Sequence, residues 1–208
     1  MKVERAIEIH RRGGRIEGWF SKDAARVLAW LDEVQKDNGI AGDIFEIGCH
    51  HGKSATLLAA MLKHGNEKLG VCDLFGDQVA NVSGSGSGDL DVFNRNLASH
   101  VDNGLTLQLH QCRSDRLSAE SIGTGYRFFH IDGGHNCDEA LGDLRLAAAC
   151  LVPGGAIVLD DPFRYDWPGV TEATIRFLDE RPEFSALMVG CNKLVPVSYT
   201  HLTLPTKA

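Results

Sequence analysis

The 208-residue sequence has no long basic run and no long apolar run, and each absence excludes a class of partner. Its longest block of Lys and Arg is the pair Arg11-Arg12, and acidic residues outnumber basic residues by 28 to 21, which gives a formal net charge of −7. Because nucleic-acid binding depends on basic patches that contact phosphates, we expect no nucleic-acid partner. No stretch approaches the ~18 apolar residues of a membrane-spanning helix. Residues 1–15 also lack the apolar segment of a secretory signal, so we expect no membrane partner.

The sequence also lacks the cysteine spacings of a zinc site or a redox motif. Its six cysteines are scattered through apolar runs, and none forms a C-x-x-C pair. This pattern predicts buried or half-buried free thiols and a reducing, cytoplasmic location.

Neither of the two common glycine-rich phosphate-binding motifs occurs. The turn from Glu46 to Ser54 reads E-I-G-C-H-H-G-K-S, which matches neither the dinucleotide fingerprint G-x-G-x-x-G nor the spacing of a P-loop. Gly48 and Gly52 would let the backbone approach a ligand, and a helix that begins near Ser54 would offer free N–H groups to a carboxylate. The turn therefore suits the amino-acid end of a ligand better than a pyrophosphate.

The composition is that of a folded globular protein, with 43% apolar and 24% charged residues. At roughly 150 residues per domain, the length favours one large domain. We assign residues 1–197 to this domain, with a helical N-terminal segment over about residues 1–40. Residues 198–208 have no core-like periodicity, and we expect an unstructured tail that resembles translated sequencing-adapter sequence.

Short apolar runs alternate with amphipathic segments along most of the chain, which predicts a parallel sheet covered by helices on both faces. The expected strands are residues 44–47, 69–72, 105–109, 128–131, 156–159, 184–189 and 193–197, and the expected helices are residues 21–34, 54–62, 92–97, 116–121, 137–151 and 170–178. The short connection between the last two strands requires an antiparallel pair. We therefore predict an α/β, Rossmann-like, doubly wound fold with a mostly parallel seven-stranded sheet and a C-terminal antiparallel hairpin.

Acidic residues lie within, end or follow all five predicted parallel strands. Ligands of open α/β sheets bind beyond the carboxyl ends of the strands, so these acids are the first candidates for a site. A single acid at a strand end often caps the next helix, but several that converge on one edge favour ligand binding. Asp73 in particular is placed to accept hydrogen bonds from ribose hydroxyls. The acids are Glu46, Asp73, Asp115, Asp132, Asp160 and Asp161.

Two segments near these strand ends have alternative interpretations. Residues 83–88 read S-G-S-G-S-G, which by composition alone is a flexible linker. Because the segment follows the strand that ends at Asp73, we favour a mobile active-site loop inside one domain. Trp19 and Phe20 precede the first long helix and are either a lid over the site or core residues.

Four motifs occur in an order that resembles a known enzyme family. They are E-x-G-x-x-x-G-x-S at residues 46–54, Asp73 at the second strand end, I-D-G-G-H at residues 131–135 and P-G-G-A-I-V-L-D-D at residues 153–161. The set resembles class I S-adenosylmethionine-dependent methyltransferases, and more closely the cation-dependent O-methyltransferases that include the macrolide-sugar and catechol enzymes. The resemblance covers about residues 18–197.

The resemblance, together with the turn chemistry, implies a role for each candidate residue. The implied cofactor contacts are Glu46, Gly48, Gly52, Ser54, Asp73 at the ribose, Ser114 and Asp115 at the adenine, and Asp132. The implied metal ligands are Asp132, Asp160 and Asp161, and His135 stands where the sugar enzymes have a catalytic histidine. Three carboxylates without nearby cysteines form a hard oxygen site, which suits Mg²⁺ or another divalent cation such as Mn²⁺ or Ca²⁺.

The leading hypothesis is that S-adenosylmethionine methylates a hydroxyl of a small acceptor, such as a sugar or natural product. A divalent cation would lower the pKa of the acceptor hydroxyl, and His135 would accept the proton. Two alternatives stay open at this point: a metal-independent methyltransferase, and a nucleotide- or metabolite-binding Rossmann-like protein such as an NAD-dependent oxidoreductase. Assembly into a homo-oligomer is open as well.

Overall fold

The computed structural model describes residues 1–63, 66–101 and 104–198, and within them the chain forms seven α-helices and seven strands. In chain order they are α1 (Val3–Arg12), α2 (Lys22–Asp37), β1 (Asp43–Ile47), α3 (Lys53–Met61), β2 (Leu69–Asp73), α4 (Leu90–His100), β3 (Leu107–Gln111), α5 (Ala119–Ile122), β4 (Tyr126–Ile131), α6 (Cys137–Cys150), β5 (Leu151–Asp160), α7 (Pro168–Glu180), β6 (Phe184–Gly190) and β7 (Lys193–Ser198). The expected tail lies, apart from Ser198, outside the described residues. In the described part of the chain, no helix combines the length and the apolar character needed to cross a bilayer.

The strands form one seven-stranded sheet in the order β3-β2-β1-β4-β5-β7-β6. β1 to β5 are parallel to one another, whereas β7 runs antiparallel to both β5 and β6. This topology confirms the predicted mostly parallel sheet with a C-terminal antiparallel hairpin. The chain order reverses between β1 and β4, and such a switch point opens a crevice at the carboxyl ends of the strands.

The start of β5 differs from the prediction by five residues. β5 begins at Leu151 and not near Ala156, because Tyr126 pairs with Leu151 whereas Phe128 pairs with Ala156. The additional residues form an irregularity that includes Gly154, whose φ of 80° lies in the left-handed region. Glycine adopts this conformation without the steric cost that other residues incur.

Helices cover both faces of the sheet, and each face has its own hydrophobic cluster. On one face α2 and α3 contribute Leu28 and Leu58, and on the other α6 and α7 contribute Leu144 and Phe177. The first long helix begins as the sequence indicates, since the Ser21 hydroxyl accepts a hydrogen bond from the Ala24 N–H at 3.0 Å. The doubly wound arrangement is therefore confirmed.

A buried ion cluster joins α2 to the start of β4. The guanidinium of Arg127 is fully buried, with Nη2 2.9 Å from Asp32 Oδ1 and Nε 3.4 Å from Glu67 Oε1. Arg127 Nη1 also donates a hydrogen bond to Gln35 Oε1 at 2.8 Å. These contacts lie at the amino end of β4, so they fix the helix on the sheet at the edge opposite the crevice.

Candidate active site

A cavity of about 510 Å³ opens at the carboxyl ends of the strands, where the topology predicts a ligand site. Eight of the predicted site residues line this cavity: Gly48, Ser54, Asp73, Ser114, Asp132, His135, Asp160 and Asp161. The wall also includes the N-terminal segment 17–20, residues 81–86 and Asn192. The structure therefore brings together residues that are distant in the sequence.

Three predicted cofactor residues do not line the cavity, and each has another structural role. Glu46 points into the protein interior, where its Oε1 lies 2.8 Å from Nδ1 of the buried His130 on the neighbouring strand. Gly52 begins α3, and a Cβ there would approach the Phe93 ring to 3.1 Å. Asp115 is exposed and pairs with Arg113, with 2.9 Å between Oδ2 and Nη2. The motif does not specify the side-chain directions of Glu46 and Asp115, which keep both carboxylates out of the cavity wall.

Gly48 is required by a close approach of two strand ends. Its φ is 82°, and a Cβ there would lie 1.9 Å from the carbonyl oxygen of Asp132. The sequence predicts that this glycine admits a ligand, but its nearest neighbour is the protein's own backbone. Gly48 therefore allows the ends of β1 and β4 to lie side by side at the cavity.

The carboxylate of Asp73 is fixed at the cavity wall by two backbone groups. The His50 N–H donates to Oδ2 at 2.7 Å, and the Phe75 N–H donates to Oδ1 at 2.6 Å. Each carboxylate oxygen can accept more than one hydrogen bond, so both retain acceptor capacity toward the cavity. The arrangement can bind a pair of hydroxyl groups.

Asp161, His135 and Ser85 form a hydrogen-bonded row in the cavity. His135 Nε2 lies 3.1 Å from Asp161 Oδ2, and His135 Nδ1 lies 3.0 Å from the Ser85 hydroxyl. The Trp167 ring packs on the imidazole, with 4.3 Å between the ring centres. These three contacts fix the imidazole on both edges and on one face.

The neighbours of Asp161 favour its ionised form. Burial raises the pKa of Asp161, but hydrogen bonds from His135 and Asn192, together with the nearby charge of Arg164, lower it by more, so the pKa lies below its usual value. The Asn192 amide donates to Asp161 Oδ1 at 2.6 Å. Since an ionised carboxylate can only accept hydrogen bonds, the proton of this pair belongs to His135 Nε2. In the neutral imidazole, Nδ1 is then the hydrogen-bond acceptor.

Asp160 makes contacts that differ from those of its neighbour. Its Oδ2 forms an ion pair with the ammonium of Lys193, and its Oδ1 accepts hydrogen bonds from the Asn192 amide at 2.8 Å and the Asp161 N–H at 2.9 Å. No motif in the sequence singles out Asn192 or Lys193 as a site residue. A lysine inside the apolar run of residues 193–197 was the available signal, since a buried charge requires a partner.

The carboxyl of Asp132 has a raised pKa. Burial and the negative charge of Asp160 raise its pKa well above the usual range, with a further contribution from Asp161, and Lys193 opposes part of this effect. One donor atom each from Asp132, His135 and Asp161 lie within 4.8 Å of one another. Two carboxylates and an imidazole are suitable donors for a divalent cation.

Residues 83–86 and Gly88 contribute to the cavity wall. Asn81 organises the segment, because its Oδ1 accepts from the Gly84 N–H at 3.0 Å and its Nδ2 donates to the Ser85 carbonyl at 2.9 Å. This placement agrees with an active-site loop and not with a linker between domains. The mobility of the loop stays a prediction.

Trp19 and Phe20 have different roles although they are adjacent. Phe20 is 7% exposed and packs in the core, whereas Trp19 is 76% exposed at the cavity rim, with its ring centre 5.6 Å from that of His50. The Lys53 ammonium donates to the Gly18 carbonyl at 2.9 Å and fastens this segment to α3. The core interpretation is therefore right for Phe20 only.

The sequence from β1 to the acidic pair after β5 matches a family described as a methyltransferase domain, over residues 45–162. This match covers more than half of the 208 residues. The chain belongs to the methyltransferase family. The family prediction is thereby confirmed, and the oxidoreductase alternative is set aside.

Solved structures show that this methyltransferase shares its fold with O-methyltransferases. It is similar to the O-methyltransferase NovP, at 12% identity and a TM-score of 0.70, over 93% of this chain and 96% of that one. It is also similar to CalS11, a TDP-rhamnose 3′-O-methyltransferase of calicheamicin biosynthesis, at 15% identity and a TM-score of 0.64, over 95% and 92% of the two chains. An O-methyltransferase from Bacillus cereus, in complex with SAH, matches at 17% identity and a TM-score of 0.57, over 93% and 88%. No curated protein sequence matches the chain.

Proposed function

We propose that this methyltransferase transfers the methyl group of S-adenosylmethionine to a hydroxyl group of a small acceptor, with His135 as the general base. The observation that supports this proposal most strongly is the row formed by Asp161, His135 and Ser85 in the cavity. Ser85 places a hydroxyl oxygen 3.0 Å from His135 Nδ1. An acceptor hydroxyl at the same distance would be within reach for proton transfer.

The reaction is an in-line displacement at the methyl carbon. The acceptor oxygen loses its proton to His135 Nδ1 and forms a bond to the methyl carbon. The bond between that carbon and the sulfonium sulfur breaks, and sulfur keeps the electron pair and becomes a neutral thioether. Because no covalent intermediate with the protein is needed, alignment of the two substrates supplies much of the rate.

Asp161 is the positioning residue for this base. By accepting a hydrogen bond from Nε2, it keeps the proton on that atom and leaves Nδ1 free to accept another. The carboxylate also stabilises the imidazolium that forms when the acceptor proton is transferred. The Trp167 ring restricts rotation of the imidazole.

The cofactor is assigned to the part of the cavity between Asp73 and Gly48. Asp73 would accept hydrogen bonds from the ribose hydroxyls, and Ser114 lines the cavity on the side where the family resemblance puts the adenine. The amino end of α3, at Lys53 and the cavity-lining Ser54, would bind the carboxylate of the methionine part. The fold is shared with O-methyltransferases that bind SAM or SAH, including TomG from Streptomyces achromogenes in complex with SAM.

A divalent cation fits the acidic side of the cavity, where Asp132 and Asp161 would hold it. When bound there, such an ion would lower the pKa of the acceptor hydroxyl and orient it. The third predicted ligand, Asp160, is engaged by Lys193 and Asn192. A metal-independent methyltransferase that relies on His135 is the second candidate function, and the Lys193 contact favours it because the site already contains a cation.

A turnover assay with S-adenosylmethionine and a panel of hydroxylated sugars and natural products tests the proposal. We expect formation of S-adenosylhomocysteine together with an acceptor that carries one additional methyl ether. Methylation at nitrogen or carbon instead of oxygen would contradict it. Activity that persists in EDTA would select the metal-independent candidate, and restoration of lost activity by Mg²⁺ would select the cation-assisted one.

A further inference from the structure

Lys193, the first residue of β7, is a buried cation beside the site. The antiparallel pairing of β5 with β7 sets Lys193 directly opposite Asp160, and the two side chains are only 2% and 5% exposed. The ammonium also lies 5.8 Å from the centre of the Phe20 ring, whose face attracts positive charge. An unpaired ammonium in the protein interior is strongly destabilising. Lys193 therefore requires the carboxylate of Asp160.

Both carboxylate oxygens of Asp160 have partners within the protein, and one of these partners is a buried cation. One carboxylate oxygen pairs with the ammonium, and the other accepts from the Asn192 amide and the Asp161 backbone. A divalent cation that approached this carboxylate would meet a fixed positive charge, and like charges at such short separation repel strongly. Asp161 also accepts hydrogen bonds from His135 and Asn192, but its cationic neighbour Arg164 lies 3.6 Å away and is 45% exposed. One oxygen each of Asp132 and Asp161 lies within 4.8 Å of a ring nitrogen of His135.

We propose that the Lys193 ammonium neutralises the Asp160 carboxylate and so prevents Asp160 from binding the divalent cation. The cation is then held by Asp132 and Asp161. The inference rests on the proposed function only for the presence of a cation site, and it does not depend on methyl transfer. Lys193 is thus a positioning residue. It weakens the binding of the divalent cation because one of three neighbouring carboxylates is neutralised in advance.

The test is the affinity of the protein for Mn²⁺, measured by electron paramagnetic resonance without cofactor or acceptor. In Lys193→Met the carboxylate of Asp160 becomes available, so we expect Mn²⁺ to bind at least about tenfold more tightly than to the wild type. Lys193→Arg keeps the positive charge and should retain the wild-type affinity. The double variant Lys193→Met/Asp160→Asn removes both charges and should also bind Mn²⁺ like the wild type.

Each alternative outcome overturns the inference. Unchanged or weaker Mn²⁺ binding by Lys193→Met would show that Lys193 does not compete for Asp160. A tenfold loss of affinity in the double variant would show that Asp160 is itself a ligand in the wild type. If circular dichroism shows that Lys193→Met does not fold, the Mn²⁺ affinity of the double variant, which has no unpaired charge at these two positions, decides whether Asp160 is a ligand. Calorimetric binding of S-adenosylmethionine by the same proteins separates this result from a failure of the proposed function.

Discussion

The imidazole Nε2 of His135 lies 3.1 Å from the carboxylate Oδ2 of Asp161, although the two residues belong to different strand ends of the sheet. His135 lies in the turn that follows the end of β4 at Ile131, and Asp161 directly follows the end of β5 at Asp160. The parallel pairing of β4 with β5 brings both ends to one edge. Because the Asp161 carboxylate accepts from Nε2, Nδ1 of the neutral imidazole is left as the hydrogen-bond acceptor.

Replacement of His135 by Gln is expected to reduce kcat by about 100-fold or more, the usual contribution of a general base. The affinity for S-adenosylmethionine should change little, because the cofactor is assigned to the Asp73 side of the cavity. Steady-state kinetics and calorimetry give the two quantities. His100→Gln, on the exposed end of α4, is the matched control and should behave like the wild type. Equal kcat values for His135→Gln and this control would remove His135 from the reaction.

Replacement of Ser85 by Ala is expected to lower the KM for the acceptor. The Ser85 hydroxyl occupies the hydrogen-bonding position on His135 Nδ1 that the acceptor must take. Its removal eliminates a competing hydrogen bond worth ~1 kcal/mol, which corresponds to about a fivefold decrease in KM. Ser87→Ala, in the same loop but exposed and outside the cavity wall, should leave KM unchanged. A higher KM in Ser85→Ala would mean that the hydroxyl binds the acceptor.

Replacement of Gly48 by Ala should destabilise the fold by about 3 kcal/mol or more, because the new Cβ would overlap the Asp132 carbonyl and the residue needs a positive φ. Urea denaturation followed by circular dichroism measures the free energy of unfolding. Gly190→Ala is the matched control: a Cβ there meets nothing within 4 Å, and we expect a change within about 1 kcal/mol. Equal stability of the two variants would contradict the close approach of β1 and β4.

Asp143 on α6 should make the stability of the protein depend on pH near neutrality. Burial raises the pKa of its carboxyl to about 7, against an opposing hydrogen bond from Ser114. The unfolded chain has the ordinary lower pKa, so the folded state binds more protons between the two values, and stability falls as the pH rises from about 4 to 7. The Asp143→Asn variant lacks this ionisation. The Tm of the variant minus the Tm of the wild type should therefore increase by several degrees as the pH rises from about 4 to 7. At higher pH this difference should stay constant. Parallel pH profiles of Tm would exclude the raised pKa.

The sequence was sufficient to predict the sheet and several residues that line the cavity, because both follow from local patterns. Alternating apolar runs predict the strands, and the rule that ligands bind at carboxyl ends selects Asp73, Asp132 and Asp161. The side chains of Glu46 and Asp115 point away from the cavity, and the motif does not encode that direction. The partner of Lys193 depends on the pairing of β5 with β7, which brings together residues far apart in the chain.

Buried charges were the least predictable feature of the chain. Arg127 sits inside the apolar run of β4, and its carboxylate partners Asp32 and Glu67 come from α2 and from the loop before β2. The boundaries of β3, at Leu107–Gln111, also lie two residues beyond the expected 105–109, because pairing with β2 and not the apolar pattern sets the register. Long-range pairing therefore accounts for the buried charges and this boundary.

Calorimetric titration of the wild type, Asp73→Asn and Asp115→Asn with S-adenosylmethionine shows whether the cavity binds this cofactor through Asp73. We predict one-to-one binding to the wild type, an affinity at least about tenfold weaker for Asp73→Asn because charged hydrogen bonds to the ribose are lost, and no change for the exposed Asp115→Asn. Absence of binding to the wild type, or equal affinity in Asp73→Asn, would contradict the account.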